Sequence, residues 1–406
     1  MKTKKSFVSF LLIAGVLLSS SLSAATFFSG YAGGKLNYSA DSEAEEYNAD
    51  LKLQAFFAGQ FNFSNNVWSH LEFSIDTKDF ISETIFHETE SIFQIDEASL
   101  IIRANMENTS NYFSTFMGTY DPIGSDIFLQ RYFSIKSIAS KITDSYLGLA
   151  GSILYPHFGL GISDVIKLHN YPLAFGGYMY FNHEDSKYFV FNSDLRAACV
   201  YRYFTCDLAC GIGAPLADKY KGEDLFIAID KFYWHAGTTI LIGNNYTNSL
   251  FIQAGLYNAA FTAKNDNILV GPEDLYILLE PRFVSQNFHF NISLYSLPPN
   301  TIKKLLYVND TLGMDLNFYT DSAVISSKTF NIGAHVSLSF KDKSVVDFAN
   351  INSIASNGFN LCLTPYMTTS FLSGELHVQG KLNVMELAGE VPGKAFSADL
   401  GYRTKF

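Results

Sequence analysis

The chain has 406 residues, 48% hydrophobic and 17% charged, with a formal charge of -11. An acidic balance excludes the basic footprint that nucleic-acid binding needs. Four cysteines, Cys199, Cys206, Cys210 and Cys362, are too few to staple a chain of this length. The 37 Phe and 24 Tyr favour strands, and Tyr also suits the level of lipid headgroups.

In chain order, the first element predicted is a secretory signal peptide over residues 1–25. Met1-Lys-Thr-Lys-Lys5 is a basic start, Phe7 to Leu18 is apolar except for Ser9, and Ser23-Ala24-Ala25 supplies small residues for cleavage. The apolar stretch is too short to span a bilayer, and no later run reaches eighteen apolar residues, so no transmembrane helix is expected. Removing Lys2, Lys4 and Lys5 leaves 25 basic against 39 acidic side chains.

Strand signals begin at Thr26. Leu51 to Phe63 alternates apolar and polar, Ser64-Asn65-Asn66 makes a short turn, and Val67, Leu71, Phe73 and Ile75 then oppose His70, Glu72, Ser74 and Asp76. The same dyad repeat places Phe288, Phe290, Ile292 and Leu294 against Asn287, His289, Asn291 and Ser293, and Leu312 to Phe318 against Asp315 and Asn317. It recurs in Phe330 to Phe340 and in Leu376 to Leu382. Short turns alternate with longer polar connections such as Thr77–Glu90, Asp218–Asp224 and Lys341–Asn357. At roughly 22 to 24 residues per strand and connection, residues 26–406 form a single domain of about 16 to 18 strands.

The last segment, Ala395 to Phe406, carries Phe396, Ala398, Leu400, Tyr402, Thr404 and Phe406 on one face and Ser397, Asp399, Gly401, Arg403 and Lys405 on the other. Its pattern at Asp399, Gly401, Tyr402 and Phe406 resembles the carboxy-terminal assembly signal of bacterial outer-membrane β-barrels, departing at Thr404, where an aromatic is usual. The resemblance implies an all-β fold, a transmembrane antiparallel up-and-down β-barrel in the outer membrane. Its partners would be the lipid bilayer and the barrel-assembly machinery. A soluble β-sandwich also alternates, and the sequence does not tell apolar-in from apolar-out. The export signal, the terminal motif and the size favour the barrel.

Ser91 to Ala104 puts Glu97, Ser99 and Arg103 on one face, Met117-Gly-Thr-Tyr120 follows, and Pro122 and Gly124 interrupt pairing in Asp121 to Phe133. This stretch resembles a porin neighbourhood, in which a loop after a glycine-bearing strand folds into the barrel. Asp121, Asp126 and Arg131 would then meet Glu72, Asp76, Glu97 and Arg103 at a constriction. An ordinary external loop with solvated charges is the alternative. With no amino-terminal plug domain, a barrel of this size is expected to hold water and to pass small hydrophilic solutes. Carboxylates at Glu72, Asp76, Glu97, Asp315 and Glu375 suggest modest cation preference. A surface adhesin or structural barrel, and a substrate-selective transporter, would share these features. Monomer and homotrimer are both open.

His70, His289, His335 and His377 fall on polar phases, and neither Gly-x-Ser-x-Gly nor His-Glu-x-x-His occurs, so no enzyme and no cofactor is expected. Glu83, His87, Glu88 and Glu90 form an acidic patch read as a solvated loop rather than a cation site. Cys199 and Cys206 would face each other across a hairpin turned at Arg202-Tyr203, either as a disulfide or as small apolar fillers. The barrel reading is tested by electrophoresis of the detergent-extracted protein. The unboiled band is expected to migrate differently from the boiled one, with β-type circular dichroism, and equal mobility with substantial helix would reject it.

Overall fold

The structure is a computed structural model that describes residues 27–40, 49–77, 92–143, 158–185, 188–216, 219–220, 223–224, 231–262, 268–269, 274–302, 305–325, 328–341, 343, 347, 358–388 and 395–406. The predicted signal peptide and the Glu83–Glu90 patch lie outside these residues. Eighteen long strands form the wall: β1 (Phe27–Ala40), β2 (Ala49–Ser64), β3 (Val67–Asp76), β4 (Ile92–Asn105), β5 (Thr109–Gly118), β6 (Gly159–Leu168), β7 (Leu173–Asp185), β8 (Tyr188–Tyr201) and β9 (Phe204–Leu216), then β10 (Lys231–Ile242), β11 (Ser249–Thr262), β12 (Leu275–Val284), β13 (His289–Ser296), β14 (Leu312–Ile325), β15 (Lys328–Phe340), β16 (Phe359–Phe371), β17 (Gly374–Asn383) and β18 (Phe396–Lys405). Each pairs antiparallel with its sequence neighbours, and β18 pairs with β1 from Tyr31↔Lys405 to Ser39↔Ser397, so the sheet closes on itself.

Closure follows from backbone chemistry. An open edge in lipid would strand a row of N–H and C=O groups at several kcal/mol each, and only a closed sheet satisfies them all. At the seam, Gly30 N–H donates to Phe406 O and Phe406 N–H donates to Gly30 O, both at 3.0 Å. Gly30 is required there: a Cβ would stand 3.1 Å from Phe406 Cε2 and collide with the Ala58 carbonyl. The Phe406 ring crosses Gly30 and stacks on Phe57 at 5.7 Å, Phe57 stacks on Phe73 at 5.0 Å, and Phe73 meets Phe93 at 5.6 Å. The terminal aromatic is thus one rung of a ladder that ties β18 to β2, β3 and β4 on the outer surface.

The alternation has a definite sense. Ile162 (59% exposed), Leu195 (67%), Phe318 (51%) and the other apolar-phase residues point outward. Every one of the eighteen strands turns at least one buried side chain inward, among them Lys35, Glu72, Glu280, Asp315, Gln379 and Asp399. The outer face is apolar, while the inner face carries the polar side chains together with aromatic and aliphatic ones such as Phe116, Val165, Phe251 and Leu278, so the polar residues sit inside, the reverse of a soluble sandwich. Among the described residues, one end of the barrel carries brief turns, such as 65–66, 202–203, 285–288 and 372–373, together with the carboxy terminus. The other end carries the longer connections, except between β7 and β8, where two residues suffice. Deleting Phe406 or replacing it with Asp removes the last rung and the seam contacts. A processed chain that fails to insert and accumulates in the periplasm is the expected outcome of fractionation; normal insertion would show that the terminal residue is dispensable.

Candidate functional site

The connection from Thr119 leaves β5 through Gly118, whose φ of 107° only glycine adopts freely, and turns again at Asp121 with φ 44°. It then descends inside the barrel. Residues 127–133 form a short helix, α1 (Ile127–Phe133), closed by Ser134 in the left-handed region, whose N–H bonds to Gln130 O. Phe128 and Leu129 are fully buried against the inner wall. Beyond α1 the chain reaches the short-turn end, where Asn245 donates to Ser137 O at 3.0 Å and Lys167 donates to Tyr132 O at 2.7 Å.

Arg131 is the tie between this segment and the wall. Its guanidinium donates to both Glu97 oxygens at 2.7 and 2.8 Å and to Asp121 Oδ1 at 2.6 Å, and it lies 4.3 Å over the Tyr120 ring. Burial pushes the Asp121 carboxyl above its ordinary range, against the pull of Arg131 and Arg196, and pushes the Tyr120 phenol up to about 12. Glu97 faces Glu72 directly across β3 and β4, where a bulge at Glu72/Phe73 adjusts the register. Two carboxylates so placed repel, and each has its own partner: Ser99 Oγ and Arg131 for Glu97, and His70 Nε2 at 2.6 Å for Glu72. Donor atoms of His70, Glu72 and Glu97 lie within 4.8 Å of one another, a spacing a metal ion could use, but Arg131 already occupies both oxygens of Glu97.

The predicted residues therefore separate. Glu72, Glu97, Asp121 and Arg131 meet in one network. Asp76 faces inward on the same strand as Glu72, closer to the long-connection end. Arg103 faces inward at the opposite rim, donating to Asn65 O at 2.7 Å, away from that network. Asp126 is not on the lumen surface: it is 2% exposed and braces the two limbs of its own loop. Its Oδ2 accepts from Ile138 N–H at 2.6 Å, Ala139 N–H at 3.0 Å and Ser137 Oγ at 2.7 Å, and its Oδ1 accepts from Gln130. At the seam, Asp399 points inward and accepts from Asn37 at 2.9 Å and Gln379 at 2.7 Å. Gly401 shares that phase, while Tyr402 points outward and donates to Leu372 O at 2.8 Å.

Several partners escaped the sequence reading. Arg196 on β8 donates to Asp121 O at 2.6 Å and pairs with Asp207, Gln253 on β11 donates to Gly124 O, and Arg282 on β12 donates to Ile138 O at 2.9 Å. Ser140 and Ser293 both donate to the buried Glu280. A second connection, Leu297 to Thr311, also folds inward. It contains a four-residue helix, α2 (Pro299–Ile302), and Tyr307, whose ring stacks 3.8 Å from that of His335. Asp310 accepts from Ser339 at 2.8 Å and Asn360 at 2.7 Å, and His335 pairs with Asp315 at 2.7 Å. Among the described residues, two connections pack against the inner wall.

No protein family matches the chain, and no curated protein does. Among solved structures, the outer membrane protein OpdK of Pseudomonas aeruginosa has 9% identity and a TM-score of 0.50 over 94% of this chain and 98% of its own. A mutant of the Rh. blastica porin has 10% identity and a TM-score of 0.45 over 94% and 100%. A loop-deleted OmpT of Vibrio cholerae has 8% identity and a TM-score of 0.40 over 94% and 99%. The fold is that of an outer-membrane porin-like β-barrel.

Replacing Asp126 with Ala strips the acceptor from two backbone N–H groups and a hydroxyl, at about 1 to 3 kcal/mol for each donor left buried and unmet. Limited proteolysis is expected to nick the 119–143 segment in this variant while the barrel keeps its heat-dependent mobility. Resistance equal to that of the unaltered protein would show that the brace is redundant.

Proposed function

We propose that the protein is an outer-membrane channel, exported by its amino-terminal signal, through which small hydrophilic solutes diffuse passively along a narrowed lumen. The observation that supports this most directly is the Arg131 tie, which fixes an in-folded connection to the polar inner wall of a closed eighteen-strand barrel. A wall of this circumference is too wide for its own side chains to fill. The two in-folded connections reduce the bore, and they share a buried apolar cluster with the wall in which Phe128, Leu129, Ile142 and Leu297 pack with Phe116, Val165, Phe251 and Leu278. The carboxy-terminal strand, with Asp399, Gly401, Tyr402 and Phe406, is the segment offered to the assembly machinery, and a homotrimer is consistent with a lipid-facing outer surface. The activity is transport and not catalysis.

Selectivity for particular substrates is favoured by a further observation. The inner wall presents paired charges of both signs, with Arg131 between Glu97 and Asp121, Lys35 3.6 Å from Asp399, and Arg403 2.8 Å from Glu375. Pairing also weakens the cation preference expected from acidic residues alone, because Glu97, Glu375 and Asp315 each have a basic or imidazole partner. Glu72 is paired in the same way with His70, so of the predicted carboxylates Asp76 keeps the negative charge at the wall that gives the preference its sign.

Planar-bilayer recording of the purified protein tests the reading. Stepwise conductance with modest cation preference is expected, and Arg131→Ala, which frees α1 from Glu97, is expected to enlarge the unit step. Silence from protein of verified fold would favour a structural or adhesive barrel, and anion selectivity would overturn the charge assignment alone.

A further inference from the structure

The geometry points to a disulfide between Cys199 and Cys206 in the exported protein, a clip across the β8–β9 hairpin. The hairpin turns on Arg202 and Tyr203, and its register pairs Tyr201 with Phe204, Val200 with Thr205 and Cys199 with Cys206. Val200 N–H donates backwards to Pro172 O at 3.0 Å, so the amides of its neighbours, Cys199 included, point toward β9. The two cysteines therefore form a hydrogen-bonded antiparallel pair, whose Cα atoms stand about 5.5 Å apart. Disulfides span usually about 4.4 to 6.8 Å between Cα atoms and about 3.5 to 4.5 Å between Cβ atoms, so the Cα spacing of this pair fits, and the bond requires rotation of the two side chains together with an approach of about 1 Å between their Cβ atoms.

Both side chains lie on one face. Ala198 and Thr205 are buried on the inward phase, which puts Cys199 and Cys206 outward, both half-buried. The other thiols are not competitors. Cys210 shares the outward face but lies four residues along β9, about 13 Å from Cys206 at the usual rise of a strand. Cys362 is buried on the inward phase of β16, where it accepts from Asn309 Nδ2.

The pair is the kind of site an exporting route oxidises. Each thiol loses its hydrogen, one S–S bond forms, and the disulfide of a thiol–disulfide oxidant is reduced to two thiols that take up the two hydrogens. Position also sets the order of events. Once the barrel sits in the bilayer, both sulfurs face lipid beside the short-turn rim, out of reach of a water-soluble oxidant. Oxidation therefore precedes insertion, closing this hairpin while the chain is still in transit. The proposal rests on the export reading, and its readout is independent of whether the barrel conducts.

Trypsin supplies the test, because it cleaves after Arg196, Arg202 and Lys219 and so puts Cys199 and Cys206 on separate peptides. The full-length protein is extracted from outer membranes into detergent under excess alkylating agent and digested without reduction. Mass spectrometry is expected to find the Ala197–Arg202 peptide linked to the Tyr203–Lys219 peptide, with the link lost on reduction. The link should persist in Cys210→Ser and disappear in Cys206→Ser. Recovery of both peptides in alkylated, unlinked form from the unaltered protein and from Cys210→Ser would overturn the proposal. A link that persists in Cys206→Ser would assign it to Cys210 and overturn it equally.

Discussion

Everything in this molecule depends on the rule that no backbone N–H or C=O can be left unpaired in hydrocarbon. A chain that crosses with strands must bring its last strand back to its first, and here that bond is made between Phe406 and Gly30. The circumference is then fixed by the number of strands, not by what the interior can fill. A soluble protein solves its interior by collapsing side chains onto one another. This one cannot collapse, because its wall is held rigid by the closed hydrogen-bond ladder, so the interior must be filled by something else or by water.

The chain fills part of that space with its own connections, and the charges explain why those connections stay. A carboxylate such as Glu97 or Glu280, placed on the inward face and covered, carries a desolvation penalty of several kcal/mol unless a partner is supplied. The in-folded segment supplies such partners: Arg131 for Glu97, and Ser140 for Glu280, which also has Arg282 and Ser293 beside it on the wall. The dependence runs both ways, since Arg196 and Arg282 on the wall satisfy carbonyl groups at Asp121, Ser125 and Ile138 that the irregular backbone of the segment would otherwise leave bare. Wall and segment are each incomplete alone. Removing one partner of such a pair therefore costs more than the pair contributes when intact.

What the sequence revealed follows the same division. The wall was legible because a strand writes its two faces into consecutive residues. The Leu51–Asp76 hairpin and the Phe396–Phe406 strand stand where the alternation places them, and the strand count falls at the top of the expected range. The network around Arg131 was legible in its members but not in its geometry. Nothing in the spacing of Asp121, Asp126 and Arg131 says that Asp126 turns back to cap Ile138 and Ala139 while its neighbours reach the wall. That depends on contacts with residues such as Gly237, Gln253 and Arg282, more than a hundred positions away. The second in-folded connection was not singled out in the sequence. It is anchored by the stacking of Tyr307 on His335 and by Asp310, which accepts from Ser339 and Asn360, contacts between a loop and distant strands that alternation does not encode.

For a channel built this way, size and charge do not act on a solute alike. An ion approaching Glu97 meets a carboxylate already saturated by Arg131, and one approaching Asp399 meets Lys35, so the field at the wall is made of neighbouring opposite charges that cancel within a few ångströms. Cancelled charge discriminates weakly at a distance but strongly at contact, where a solute must match donors and acceptors at fixed positions. On the proposed reading, the bore left by the two in-folded connections sets what can make that contact at all. Net charge of the chain, the quantity most easily read from composition, is accordingly a poor guide to what passes. The positions of Arg131, Lys35 and Arg403 relative to their carboxylates are a better one.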